Sequence, residues 1–369
     1  MKRVAIVGAG KIGGVIADLL AGSGDYEVEV FDASADNLER LVTRRPVTRR
    51  EMDVRSEAFP EALKGAFAVL NAAPYHATTA VARAARKAGV HYLDLTEDVA
   101  STREVKALAE GAPCAFIPQC GLAPGFISIV AHDLASQFDT LEDVRLRVGA
   151  LPQFPSNTLN YNITWSTDGV INEYCEPCEA IVDGRLRETQ ALEEREEFSL
   201  DGVTYEAFNT SGGLGTLCET LAGRVRNLNY RTIRYPGHAA IMKTLLHDLG
   251  LRDRRELLKE ILENAVPSTL QDVVVIFVTV SGRRHDALVQ VSYANKVYAA
   301  PVEGVMRSGI QITTASAICA VLDMLAAGEL PQSGFVRQEQ ISLAAFLANR
   351  FGRNYAAADT GLQPGARVA

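Results

Sequence analysis

The sequence predicts an α/β protein: a doubly wound parallel sheet followed by a second, α+β domain with a mostly antiparallel sheet. Three observations carry this prediction. An apolar run leads straight into a GxGxxG turn near the N-terminus, and about six strand candidates alternate with helical stretches up to residue 125. After Gly125 the pattern changes to alternating segments split by turn dipeptides. The predicted boundaries are 1–125 for the first domain, 126–304 for the second, and 305–369 for C-terminal helices that return to the first.

The first strand is Val4 to Val7, four apolar residues suited to a buried parallel strand. Gly8 permits the tight turn, Gly10 lets backbone approach a pyrophosphate, and Gly13 lets the next helix pack close. That helix aims its free N–H groups and positive dipole end at phosphate. The run Tyr26 to Phe31 ends in Asp32, 19 positions beyond Gly13, where a ribose-binding acid is expected. Strand, glycines, helix, strand and acid in this order describe a Rossmann unit, with Gly8, Gly10, Lys11, Ile12, Gly13 and Asp32 as cofactor contacts. A carboxylate at position 32 favours NAD, because it accepts from the ribose 2′-OH and repels a 2′-phosphate. NADP stays open, since arginines such as Arg40 can reach a phosphate.

Asn37 to Leu41 reads as a helix, and Thr48 to Val54 as a strand that brings Asp53 and Val54 to the adenine side. Ala66 to Ala72 is a buried strand running into Ala73, Pro74 and Tyr75. Those three should touch the cofactor, because ligands of open α/β sheets sit beyond the strand ends. A helix over Thr78 to Ala88, the strand His91 to Leu95, a helix through Val105 to Ala109 and the strand Cys114 to Pro118 complete the unit.

Beyond it, a helix over Phe126 to Leu134 leads to strands at Val144 to Gly149, Ala180 to Val182, Glu197 to Leu200 and Val203 to Ala207. Further strands follow at Thr232 to Tyr235, Val273 to Ser281 and Ala287 to Tyr298, with helices at Gly237 to Leu249 and Arg254 to Asn264. Pro152 to Tyr161 reads as a loop. The glycines Gly212, Gly213 and Gly215 look like a second phosphate loop but lack a preceding strand, so they read as a crossing near the site. Helices at Ile312 to Ala327 and Ile341 to Phe351 flank a loop with Pro331 and Gly334, and a loose tail starts near Ala356.

A net charge of −8 argues against nucleic-acid binding. No charge-free apolar run approaches about 18 residues, which predicts no membrane span. The N-terminal apolar run is a strand rather than a signal peptide, and the expected location is cytoplasmic. Six cysteines at this length read as reduced thiols. Cys175 and Cys178 form a CxxC without a second pair, so no metal site is expected.

The stretches VAIVGAGKIGG (4–14), LNAAPY (70–75), HYLDLTED (91–98), QCGLAPGF (119–126), VGALPQFPSNTLNYNITWSTDGVINEY (148–174) and RYPGH (234–238) together resemble the saccharopine dehydrogenase family. The resemblance implies hydride chemistry at a carbon that bears an amine, a small amino-acid substrate, an open-faced substrate domain and a homodimer. Within the family, GLAPGF with GALPQFPSNTLNY is most similar to lysine 6-dehydrogenases, with saccharopine reductases close behind.

Oxidising an amine requires a substrate carbon held against the nicotinamide, an acceptor for an ammonium proton, and partners for the charged ends. Asp94, Glu97 and Asp98 follow a cofactor-domain strand, where an acid can recognise a cationic amine or take its proton; Asp98 alternatively caps a helix. Arg234 suits a substrate carboxylate. Tyr235 or His238 can move a proton, unless the tyrosine packs and the histidine caps. Asn157, Asn160, Tyr161, Trp165 and Ser166 are wall candidates. The expected catalytic set is therefore Asp94, Tyr235 and His238, and the substrate set Glu97, Asn160, Tyr161 and Arg234. Saccharopine would need a second carboxylate site, for which Arg224, Arg226 and Arg231 are candidates. A non-catalytic NAD-binding sensor is the alternative of another class.

Overall fold

Short apolar strands, each followed by a helix, pair in parallel to build the first half. The structure is a computed structural model that describes residues 1–356; the tail expected from about Ala356 lies outside the described residues. The order begins β1 (Lys2–Val7), α1 (Lys11–Ser23), β2 (Tyr26–Asp32), α2 (Ala35–Arg40), β3 (Thr48–Glu51), α3 (Phe59–Ala62), β4 (Ala68–Asn71), α4 (Thr78–Ala88), β5 (His91–Asp94), α5 (Val99–Ala109) and β6 (Ala115–Ile117). It continues with α6 (Phe126–Ala135), β7 (Thr140–Pro152), α7 (Thr167–Cys175), β8 (Cys178–Val182), β9 (Arg185–Thr189), β10 (Glu196–Leu200), β11 (Val203–Asn209), α8 (Leu217–Thr220), β12 (Val225–Arg234), α9 (His238–Lys243) and α10 (Arg255–Ala265). The last elements are β13 (Asp272–Arg284), β14 (Ala287–Tyr298), β15 (Ala300–Val302), β16 (Val305–Arg307), α11 (Gly309–Ala326), β17 (Gly334–Phe335) and α12 (Leu343–Ala348).

The first sheet runs β17-β6-β5-β4-β1-β2-β3, with every pair parallel. Val4 to Val7 of β1 are all buried, because β2 and β4 flank the strand and helices cover both faces. Strand order reverses between β1 and β4, which opens a crevice at their carboxyl ends. The seventh strand comes from the stretch with Pro331 and Gly334, read from sequence as a loop. Two residues are too short to show a period, and pairing with β6 alone defines them.

The second sheet is mixed, in the order β10-β11-β12-β7-β13-β14, with β8 and β9 attached beside β12. Only β12 and β7 pair in parallel; the others are antiparallel. Strands β7 and β13 each run 13 residues and form its middle. The hairpin partner β9 (RLRET) escapes the sequence reading because it is exposed almost throughout and has no apolar face. Helix α7 also goes unforeseen, and it proves central to the cleft.

Helix α11 has 18 residues and a mean hydropathy of 1.5, long and apolar enough by length and composition to cross a bilayer, with Asp323 as its one charged residue. It is nonetheless a core helix: 78% of it is buried, between α1 on one side and β13 and β14 on the other. Its charged residue Asp323 accepts from Tyr26, Asn349 and Arg350.

Candidate active site

A cavity of about 1080 Å³ lies between the carboxyl ends of the parallel strands and the second sheet. Its outer half is built by the glycine turn. Gly8 has φ +100°, and a Cβ there would stand 2.9 Å from Ala72 O, so the turn lies hard against the end of β4. A Cβ on Gly13 would meet Gly8 O at 1.8 Å; only glycine lets α1 start this close. Gly10 differs, because a Cβ there would touch nothing within 4 Å and would project into open space. Helix α1 has no side-chain cap, so its first-turn N–H groups stay available to an anion. This open cradle fits a pyrophosphate.

Asp32 sits at the lip, where its carboxylate accepts from Ala9 N–H at 2.7 Å and Ser34 N–H at 2.8 Å. Asp53, Val54, Ala73, Pro74, Tyr75, Lys11 and Ile12 also line the cavity, while Gly13 packs behind the turn. Arg40 and the arginines near it are not among the lining residues; Arg55 is.

The inner half brings together Glu97, Glu173 and Arg234, walled by Trp165, Thr164, Tyr230 and Thr232. Strand alternation places Tyr230, Thr232 and Arg234 of β12 on the cavity side. Arg234 is buried, its Nε donating to Tyr174 OH at 3.0 Å and Nη1 to Ile233 O at 2.8 Å. Nη2 has no protein acceptor among the described residues. The guanidinium lies 5.0 Å from the Tyr161 ring centre, which supports it from behind. Burial pushes the Glu97 carboxyl up to about 7, helped by the nearby Asp98 and Asp94 charges. Burial and the Glu97 charge push Glu173 well above the carboxylate range, against the pull of Arg234.

Three expected catalytic residues stand elsewhere. Asp94 is fully buried behind the wall, accepting from Tyr92 OH at 2.7 Å, Gln119 N–H at 2.8 Å and Thr96 N–H at 3.0 Å. Burial lifts it to about 6, yet it does not line the cavity, and its three hydrogen bonds fix the loop that carries Glu97. Tyr235 points to the opposite face of the sheet from Arg234, donates to Pro152 O at 2.9 Å and packs on Tyr205. His238 is sealed among Tyr161, Tyr174 and Phe208, with Nε2 against Tyr174 OH at 3.1 Å and Nδ1 against Leu159 O at 2.9 Å. Burial, then the Arg234 charge, lowers it to about 3, so it is neutral. Asn160 and Tyr161 likewise stand behind the wall rather than in it. Asp98 caps α5, accepting from Ser101 N–H at 2.7 Å. Gly212 and Gly213 are packing glycines: Cβ atoms there would meet Glu97 O and the Tyr230 ring at 2.2 Å. Cys175 and Cys178 are free buried thiols.

Two domain families cover this arrangement. The saccharopine dehydrogenase NADP binding domain matches residues 4–114, and the saccharopine dehydrogenase C-terminal domain matches residues 121–351. The chain belongs to the saccharopine dehydrogenase family. The first half is thus a nicotinamide-dinucleotide domain, in agreement with the open cradle at Gly10. Among solved structures, saccharopine dehydrogenase (L-Glu forming) from Saccharomyces cerevisiae shares this fold at a TM-score of 0.77 and 16% identity, over 92% of this chain and 94% of that one. DAP dehydrogenase from C. glutamicum reaches 0.50 at 14% identity, over 93% and 95%. Mitochondrial alpha-aminoadipic semialdehyde synthase from Mus musculus is 22% identical over 193 residues, 50% of this chain but only 21% of that protein's own length.

Within this family member, sequence reasoning missed the walls Thr164, Tyr230 and Thr232 and, of the charged residues, Glu173. It sits on α7, whose start is signalled by Ser166: the serine Oγ accepts from Gly169 N–H at 3.2 Å as an N-cap. Reading Ser-Thr-Asp-Gly as a helix start would have put Gly169 and Glu173 on one helical face.

Proposed function

We propose that this chain is an NAD-dependent dehydrogenase that oxidises the C–N bond of an amino acid carrying a side-chain amine, with L-lysine at its ε-carbon as the leading substrate. The observation that carries the reading is the charge of the inner cavity, where one arginine faces two glutamates. Such a site matches a substrate with one carboxylate and a cationic amine. Saccharopine would bring further carboxylates and call for further cations. Arg231 instead pairs with Glu194 and Glu196, Arg226 pairs with Asp183 and Glu142, and neither these nor Arg224 lines the cavity.

NAD is preferred over NADP in this reading because Asp32 occupies the lip where a 2′-phosphate would have to sit. Bound in the outer half, the nicotinamide supplies the hydride-accepting carbon. The chain's own residues do the rest. Arg234 Nη2 takes the carboxylate, the glutamates take the cationic nitrogen, and Trp165 with Ile163 and Val266 keeps water from the inner cavity. A pure sensor would have no need for two carboxyls shifted this far.

The experiment is absorbance at the reduced-nicotinamide wavelength with NAD or NADP and L-lysine, ornithine or saccharopine. Reduction of NAD with lysine supports the reading. Turnover of saccharopine but not of lysine replaces it, and nucleotide binding without turnover of any amine points to a sensor.

A further inference from the structure

Glu97 and Glu173 come from different halves of the fold, the loop after β5 and helix α7, yet both lie along one face of α7, near enough for the Glu97 charge to act on Glu173. A Cβ on Gly169 would stand 3.2 Å from Glu97 Oε1 and 2.2 Å from the Trp165 ring. Gly169 lies four residues before Glu173, so both occupy the same face about one turn apart. The bend after β11 ties the two backbones: Ser211 N–H donates to Glu173 O at 3.0 Å, and Gly212 passes against Glu97 O. Neither carboxylate has a hydrogen-bonding or ion-pair partner side chain among the described residues, although both line the cavity.

We propose that Glu97 and Glu173 act as a carboxyl pair that holds one proton in the ligand-free cavity, releases it when a cationic amine binds, and takes a proton from that amine during oxidation. In the last step an ammonium N–H bond breaks and a carboxyl O–H bond forms. The C–H electron pair leaves as hydride to oxidised nicotinamide, and the nitrogen lone pair closes the C=N bond. This rests on the amine-oxidising reading above.

The surroundings favour such a pair. Asp94 and Asp98 add negative charge beside Glu97, and Tyr75 faces it from the cofactor side. Arg234, Tyr230 and Tyr161 face Glu173, with Tyr174 beside it on α7 and Cys178 at the start of β8. Burial lifts both carboxyls, while the one guanidinium balances a single negative charge.

Trp165, the sole tryptophan, packs against Gly169 and reports on the pair. In the ligand-free full chain, its fluorescence should titrate with an inflection near pH 7; Glu97→Gln should abolish the inflection and Glu173→Gln should shift it. An inflection in the ordinary carboxylate range, or one near 7 that survives Glu97→Gln unmoved, overturns the pair. Calorimetry of L-lysine binding to the protein with NADH, in buffers of different ionisation enthalpy at pH 7, should show release of about one proton per site that both variants lose. Lysine binding without proton release overturns the proposal. If lysine does not bind while the pH 7 inflection persists and responds to both variants, the pair stands and the choice of lysine falls.

Discussion

Asp32 Oδ2 accepts the Ala9 N–H at 2.7 Å, so the acid that ends β2 is fixed directly to the glycine turn that ends β1. The same carboxylate takes the Ser34 N–H that opens α2. In the proposed reading, the groups for a ribose and a pyrophosphate are thereby held at one spacing before any ligand arrives, which lowers the ordering cost of binding.

Asp32→Asn should therefore weaken NAD binding by roughly 10- to 100-fold, the worth of one charge-assisted hydrogen bond. NADP should lose less, so the ratio of the two affinities should narrow. Calorimetric Kd values for both nucleotides check this, and an unchanged NAD Kd would remove Asp32 from the ribose site.

The glycines of the turn should separate folding from binding. Gly13→Ala has to displace Gly8 O and should lower Tm markedly, by the equivalent of about 1–3 kcal/mol of overpacking. Gly10→Ala meets no protein atom and should leave Tm within a degree or two of the parent while raising the NAD Kd about tenfold or more. Thermal melts with and without NAD distinguish the two.

Arg234→Lys keeps the charge but gives up the planar fork that bonds Tyr174 OH and Ile233 O and, in the proposed role, a substrate carboxylate. The expected result is a rise in the amino-acid KM of about 10-fold or more, with NAD affinity unaltered. A change confined to kcat would place the carboxylate elsewhere.

His238 and Glu97 should leave opposite marks on stability against pH. The His238 pKa falls to about 3 on folding, so the unfolded chain binds the extra proton between about 6.5 and 3. Its contribution is full above about 6.5 and is lost as the pH falls toward 3; His238→Gln should flatten that acid limb. The Glu97 pKa rises to about 7, so the folded chain binds the extra proton between 4.5 and about 7. Stability tied to Glu97 is present below 4.5 and fades as the pH rises through 7. Glu97→Gln should accordingly gain on the parent at pH 8 relative to pH 5. Denaturant midpoints across that range provide the measurement.

The outer half of the cavity was legible in the sequence because each contact follows from backbone need: Gly8 and Gly13 mark close approaches, and Asp32 lies at a fixed distance along the chain. The inner half was legible in part: Glu97, Arg234 and Trp165 were named from sequence and line the cavity, whereas Glu173 was not, since the members converge from three separate places. Tyr235 and His238 looked reactive beside Arg234, but alternation along β12 turns the tyrosine away, and the histidine drops into an aromatic core. Asp94 has the burial of a functional acid and the hydrogen bonds of a structural one. Glu173 belongs to a helix whose apolar stripe is too short to stand out, and only its Ser166 cap announces it. Strand β17 has no local signal at all; Gly334 and Phe335 become a strand because β6 offers an unpaired edge.

Isotope transfer from lysine deuterated at the ε-carbon shows whether the hydride leaves that carbon for the nicotinamide. NAD reduced by the protein should carry the deuterium on its nicotinamide ring, ammonia should appear in equal amount, and the rate should fall relative to unlabelled lysine. Reduced cofactor free of deuterium, or label transferred only from lysine deuterated at the α-carbon, would rule out oxidation at the ε-carbon.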